Sequence, residues 1–214
     1  MFERKEALLL DMNSTFMFGE DRFGTNENYS EYYKSIGGEL AREFVNELII
    51  RTYEYLDERY PAEKYRHCFL SLQEAIEVSA NIGIAESEKE KIIETFSFHE
   101  HGKIPQTYVA ALRKLKEQFT LALVIDIWAL FSAHSFSSDH GMVKPSPKPF
   151  ELVVNEIYIP KEKYLVIGDS IRRDLGGAHA AEIDSVLVGG AESDIAIGSY
   201  PTLLDFQQNV QSCS

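Results

Sequence analysis

Four short apolar runs constrain what this chain can fold into more than any other feature. They are "ALLL" (7–10), "TLALVIDI" (120–127), "KYLVIGD" (163–169) and "DSVLVGG" (184–190). Each is too short for a buried helix and is halted by, or closes on, acids and glycines. That pattern suits strands of a parallel sheet covered on both faces. Just before and between the last three lie stretches with helical spacing. Val109, Leu112, Leu115 and Phe119 share one face of "TYVAALRKLKEQF". Phe150, Val153, Val154 and Ile157 share a face of "FELVVNEIY", and Leu175, Ala178 and Ile183 do so in "RRDLGGAHAAEI". Strands alternating with helices indicate an α/β fold built on a doubly wound parallel sheet. Such sheets hold ligands at the carboxyl ends of their strands. Asp11, Asp126 and Asp169 all fall at or near those ends.

Residues 20–98 differ in kind. Tyr33, Ile36, Leu40, Phe44 and Leu48 recur in helical register. Ser71 with Glu74, and Ser87 with Glu90, have the spacing of capping boxes at helix starts. No strand pattern interrupts this region. The expected organisation is an α/β core from 1–19 and 99–214, with an all-helical insert over 20–98 between the first and second strands. "GEDRFGTNENYS" reads as the connecting loop and "HEHGKIP" as the return hinge, with His99 in a solvated loop. Tyr32 and Tyr33 are candidates for lining a pocket.

The 214 residues suffice for one sizeable core, or a core plus an insert. Lys and Arg total 21 against 34 Asp and Glu, a formal charge of −13. That surface repels nucleic acid and anionic membranes alike. It also disfavours small anionic substrates unless a basic group or a metal offsets the field locally. The cysteines, Cys68 and Cys213, form no disulfide framework and no zinc pattern, which fits a reducing compartment. The apolar run near Met1 is too short for a signal peptide, and no later run approaches a membrane span. A cytoplasmic location is expected.

Three segments carry candidate chemistry. Asp11 ends the first strand, where a carboxylate can serve as nucleophile or metal ligand. "GDSIRRD" sets Asp169 and Asp174 across a turn into a helix, a pair suited to a hard cation such as Mg²⁺. "MVKPSPKPF" places Lys144 beside Pro145 and Pro147, which stiffen the loop and set the entry to the next helix. A lysine there, near several carboxylates, can neutralise phosphate or hold a nucleophile. Lys148 reads as solvent-facing.

In combination these segments resemble the haloacid dehalogenase-like hydrolase superfamily. The resemblance runs from "ALLLDMNSTF" through the helical insert to "VKPSPKPF" and "VIGDSIRRDLGGAHAAEI". It implies a Rossmann-like core with a helical cap at residues 20–98. It implies Asp11 as the nucleophile, Lys144 as the stabilising lysine and Asp174 as the acid that positions it. Mg²⁺ would lie between Asp11, the Asn13 carbonyl and Asp169. Thr15 and Asp126 stand at positions that face substrate. Two positions depart from the phosphatase pattern. Asn13 replaces the aspartate that acts as general acid and base, and an amide cannot exchange a proton at neutral pH. Ile125 stands where a serine or threonine hydroxyl usually binds phosphate, with Asp126 after it.

The resemblance therefore implies a Mg²⁺-dependent phosphatase or phosphotransferase acting on a small phosphorylated metabolite through an aspartyl-phosphate, with an altered acid–base position at Asn13. The alternatives are a fold that binds without catalysis, and a metal-independent haloacid dehalogenase.

Overall fold

The computed structural model describes residues 2, 4–19, 23, 27–65, 69–100, 102–125 and 141–212. Its centre is a five-stranded sheet in the order β2-β1-β3-β4-β5. The strands are β1 (Ala7–Leu10), β2 (Thr120–Leu123), β3 (Tyr164–Gly168), β4 (Asp184–Val188) and β5 (Gly198–Tyr200), and every pairing is parallel. Leu10 lies opposite both Leu123 and Ile167, so β1 is flanked on both edges. All its residues are buried, the environment that favours an unbroken apolar run over an alternating one.

Successive side chains of a strand point to opposite faces, and the sheet divides its core accordingly. Leu8, Leu10, Leu165, Ile167, Val186 and Val188 meet Leu115, Phe119, Leu203 and Phe206. That side is covered by α5 (Gln106–Lys116) and the C-terminal helix, here α8 (Leu203–Ser212). Ala7, Leu9, Tyr164 and Val166 meet Phe150, Val153 and Ala178. Those come from α6 (Lys148–Ile157) and α7 (Gly176–Ala180). Helices on both faces make this the doubly wound α/β sheet that the apolar runs imply.

β2 is shorter than its apolar run, although the Val124 N–H still donates to the Leu10 carbonyl at 2.9 Å. β5 has no apolar run to announce it; it joins through its backbone alongside Val186, Leu187 and Val188.

Between β1 and α5 the described residues form α1 (Tyr29–Ser35), α2 (Arg42–Arg59), α3 (Leu72–Ala80) and α4 (Glu86–Glu100), with a 3₁₀ turn at Glu63–Tyr65. These helices share a core of their own, centred on Tyr29, Tyr33, Leu48, Ile49, Ile76 and Phe96. The register from Tyr33 to Leu48 is not one helix. It breaks after Ile36, where Gly37 has φ +82° and Gly38 lies so close to the Tyr33 ring that a Cβ would sit 2.2 Å from it.

Ser71 and Glu74 form the expected capping box. Ser87 and Glu90 do not. α4 begins at Glu86, and the Ala85 carbonyl accepts from Glu88 and Lys89, so Ser87 is already inside the first turn. His99 belongs to the last turn of α4 rather than a loop, and its ring meets Tyr29 edge-on at 4.8 Å. Tyr32 and Tyr33 serve packing: Tyr32 stacks on Phe98 at 4.0 Å, and the buried Tyr33 hydroxyl donates to Glu88. Among the described residues, no helix is long and apolar enough to cross a membrane.

Candidate active site

The site forms where β1 and β3 end side by side. The Asp11 N–H donates to the Ile167 carbonyl at 2.9 Å, which carries the ladder one residue past the strand. The chain then turns sharply. The Met12 carbonyl accepts from the N–H groups of Thr15, Phe16 and Met17, at 3.2, 3.0 and 3.0 Å, and Ser14 takes φ +56°. This turn swings Thr15 back over the strand end, where its hydroxyl donates to Asp11 Oδ2 at 3.1 Å. Thr15 is buried, so its hydroxyl is spent on holding Asp11.

The end of β3 is as tightly specified. Ile171–Leu175 is a π-helical turn, a form that recurs at functional sites. The Ser170 side chain accepts from the Arg173 N–H at 3.2 Å, and the Ser170 N–H donates to Asp174 Oδ2 at 3.0 Å. Gly168 is required here, since a Cβ on it would meet the Asp174 carboxylate at 2.4 Å.

Lys144 enters from the loop before α6 and is only 2% exposed. Its Nζ lies 2.6 Å from Asp11 Oδ1 and 2.6 Å from Asp174 Oδ1. One ammonium thus bridges two buried carboxylates from different strand ends. Asp169 is the third acid. One oxygen from each of Asp11, Asp169 and Asp174 lies within 4.8 Å of the others.

These charges are poorly balanced. Burial pushes the Asp11 carboxyl up to about 7; Lys144 opposes the rise, and Asp174 and Asp169 add to it. Burial likewise raises Asp169, with Asp174 reinforcing the shift. Two buried oxygens, Asp169 Oδ1 and Asn13 Oδ1, have no hydrogen-bond partner among the described residues. An all-oxygen donor set with surplus negative charge suits a hard divalent cation, so the carboxylate cluster is compatible with metal binding.

The structure brings Asp11, Thr15, Lys144, Asp169 and Asp174 together, with Asn13 in the turn beside them. Ile125 is buried and packs into the core of the helical segment, with Met12 and Leu123 against the same cluster. Asp126, and with it Trp128, His134, His140, His101, Cys68 and Cys213, lies outside the described residues. Lys148 faces solvent and pairs with Glu151 at 2.7 Å. One neighbour escapes the sequence reading altogether. The Arg173 Nη1 donates to the Tyr60 hydroxyl at 3.2 Å, linking the β3 turn to the end of α2. Its only signal in sequence is its place next to Asp174.

The profile of the haloacid dehalogenase-like hydrolases matches residues 5–182. The chain belongs to this family. The match spans both strand ends, Lys144 and the turn of Asp169–Asp174. Among solved structures, a 2-haloacid dehalogenase from Pseudomonas syringae pv. tomato DC3000 is 18% identical, with a TM-score of 0.63 over 98% of this chain and 100% of that one. A HAD phosphatase from Thermococcus onnurineus is 15% identical, with a TM-score of 0.61 over 96% and 97%. YfnB from Bacillus subtilis, described as a HAD-hydrolase and solved with bound magnesium, is 16% identical, with a TM-score of 0.57 over 97% and 99%. At these identities the likeness is one of fold, and it spans dehalogenases and a phosphatase alike. No curated protein matches the sequence.

Proposed function

We propose that this chain is a Mg²⁺-dependent phosphohydrolase or phosphotransferase that works through an aspartyl-phosphate at Asp11 on a small phosphorylated metabolite. The helices of 20–98 act in this reading as a cap over the strand ends of the core, 1–19 and 99–214. The observation that carries the proposal is the Asp11 carboxylate, bridged to Asp174 by one buried lysine, with the unpartnered Asp169 oxygen beside it.

Thr15 and Lys144 fix the orientation of Asp11. An Asp11 oxygen attacks phosphorus, a new O–P bond forms, and the bond to the leaving oxygen breaks. Lys144, held by Asp174, offsets the charge around the carboxylate. Water then attacks the same phosphorus, the O–P bond to Asp11 breaks, and phosphate leaves with the Asp11 carboxylate restored. Asp11, the Asn13 carbonyl and Asp169 would hold Mg²⁺; when bound, the ion supplies positive charge against the phosphoryl oxygens and the surplus carboxylates.

Asn13 decides which substrates suit the site. Without a proton-exchanging group, a poor leaving group forfeits about 10²–10⁴-fold in rate. An acyl phosphate or phosphoanhydride needs no such proton. Acetyl phosphate is therefore expected to be hydrolysed faster than a sugar phosphate with Mg²⁺ present; equal or reversed preference refutes the assignment.

Ile125 and Asn13 favour a second reading. In it Asp11 attacks carbon, halide departs, and the resulting ester is hydrolysed without a metal. An apolar Ile125 is no handicap to that reaction. Halide release from a 2-haloacid without Mg²⁺ would establish it over the first. Mg²⁺-dependent stabilisation with no turnover of either substrate class would instead mark a binding protein.

A further inference from the structure

We infer that Arg173 is the anion-binding and specificity-determining residue of this site, taking the phosphoryl oxygens that no hydroxyl at position 125 can take, with Tyr60 holding its guanidinium in place. The inference rests on the phosphoryl reading above and adds the group that grips the substrate.

The need for such a group is electrostatic. Lys144 contacts Asp11 and Asp174 at 2.6 Å each and is engaged in balancing them. The chain as a whole carries a formal charge of −13. Ile125 is buried among side chains of the helical segment and offers no donor. Beside the cation that Asp11, Asn13 and Asp169 would hold, a phosphorylated substrate arriving here needs a positive side chain that donates to its oxygens.

Arg173 meets that need by position and by chemistry. It directly precedes Asp174 in the π-helical turn, and its backbone N–H is tied to Ser170. It is half-buried, and its charge acts on Asp169, Asp174 and Asp11. Among the described residues it makes no ion pair with a carboxylate. Its side-chain partner is the Tyr60 hydroxyl, and the guanidinium also lies 5.4 Å from the Tyr60 ring centroid. A guanidinium carries five N–H donors in a planar fork that matches phosphate, so one bond to Tyr60 leaves donors for a ligand. Tyr60 caps the end of α2, so the same contact couples the grip on the anion to the placement of the helical segment.

The test is calorimetric titration of inorganic phosphate, with Mg²⁺ present, into wild type, Arg173→Gln, Arg173→Lys and Tyr60→Phe. Charge-assisted bonds of this kind lead us to expect Arg173→Gln to bind phosphate about tenfold or more weakly. Arg173→Lys should recover part of the loss, and Tyr60→Phe should fall between Arg173→Gln and wild type. Thermal unfolding of each variant identifies a mere latch: Arg173→Gln with lowered stability and wild-type phosphate affinity overturns the inference. So does a wild type that binds no phosphate. Acetyl phosphate turnover separates this inference from the reading beneath it. Phosphate binding through Arg173 without any turnover leaves Arg173 in place and removes the phosphohydrolase. Turnover with an unchanged KM in Arg173→Gln does the reverse.

Discussion

Replacing Lys144 by methionine isolates the contribution that holds the site together. The substitution keeps an apolar stem of similar length and removes one buried ammonium, 2% exposed, that contacts two carboxylates at 2.6 Å each. A hydrogen bond to a charged group is worth about 1.5–3 kcal/mol. Two of them give about 3–6 kcal/mol, in line with the ~3–5 kcal/mol lost when one partner of a buried ion pair is removed. One response limits the loss. The Asp11 carboxyl already sits up at about 7, so without Lys144 it takes a proton near neutral pH rather than remain charged beside Asp174. The expected cost is therefore near the lower end, about 3 kcal/mol in metal-free protein at neutral pH, rising as the pH is raised and Asp11 must ionise. Asp11→Asn in the same chain forfeits the same Lys144–Asp11 contact, so the two single losses count it twice. The double variant should then be about 1–3 kcal/mol more stable than the sum of the single losses predicts. Urea unfolding of all four proteins in chelator measures the cycle. A loss under 1 kcal/mol for Lys144→Met, or strict additivity, would refute the claim that this lysine balances Asp11 and Asp174.

Three further outcomes follow from particular contacts. Gly168→Ala sets a Cβ 2.4 Å from the Asp174 carboxylate, so it should cost about 1–3 kcal/mol and displace the partner of Lys144; unchanged unfolding and turnover would show that Asp174 is free to move. Burial works against the charge of Glu88, but hydrogen bonds from Lys91, Tyr33 and the Glu39 backbone outweigh it and hold the carboxyl down to about 2. A lowered carboxyl contributes stability above its unfolded value of about 4.5 and loses it as the pH falls toward 2. Thermal unfolding between those values should therefore be less pH-dependent in Glu88→Gln than in wild type, and an unchanged slope would refute the assignment. Asn13→Asp should raise sugar phosphate turnover by up to about 10²–10⁴-fold; no gain would point to Ile125 and Asp126 as the larger defect.

β1, β3 and β4 were legible because they are buried on both faces and so write themselves as apolar runs; the edge strand β2 is only half-buried yet carries such a run too. β5 was not, since Gly198–Tyr200 pairs by backbone alone and is only partly buried. Asp11, Lys144 and Asp174 stood out through the motif they make together, and the structure joins them across 133 and 30 residues of chain. Arg173 and Tyr60 lie 113 residues apart, and neither belongs to a pattern that names the other. Ile125 was readable as an apolar side chain in place of a hydroxyl. That it packs into the core of the helical segment depends on how those helices sit. Ser87 shows the limit of spacing arguments: the pair Ser87–Glu90 has capping-box spacing, but the helix had begun one residue earlier.

The central claim is that Asp11 becomes phosphorylated during turnover. Because Asn13 cannot serve as the base that speeds the second step, the covalent intermediate should accumulate. Acid quenching of the protein during steady-state turnover of acetyl phosphate with Mg²⁺, followed by peptide mass spectrometry, measures it directly. The account predicts a base-labile phosphoryl group on Asp11, absent from Asp11→Asn. Turnover that leaves Asp11 unmodified, or that persists in Asp11→Asn, would contradict it.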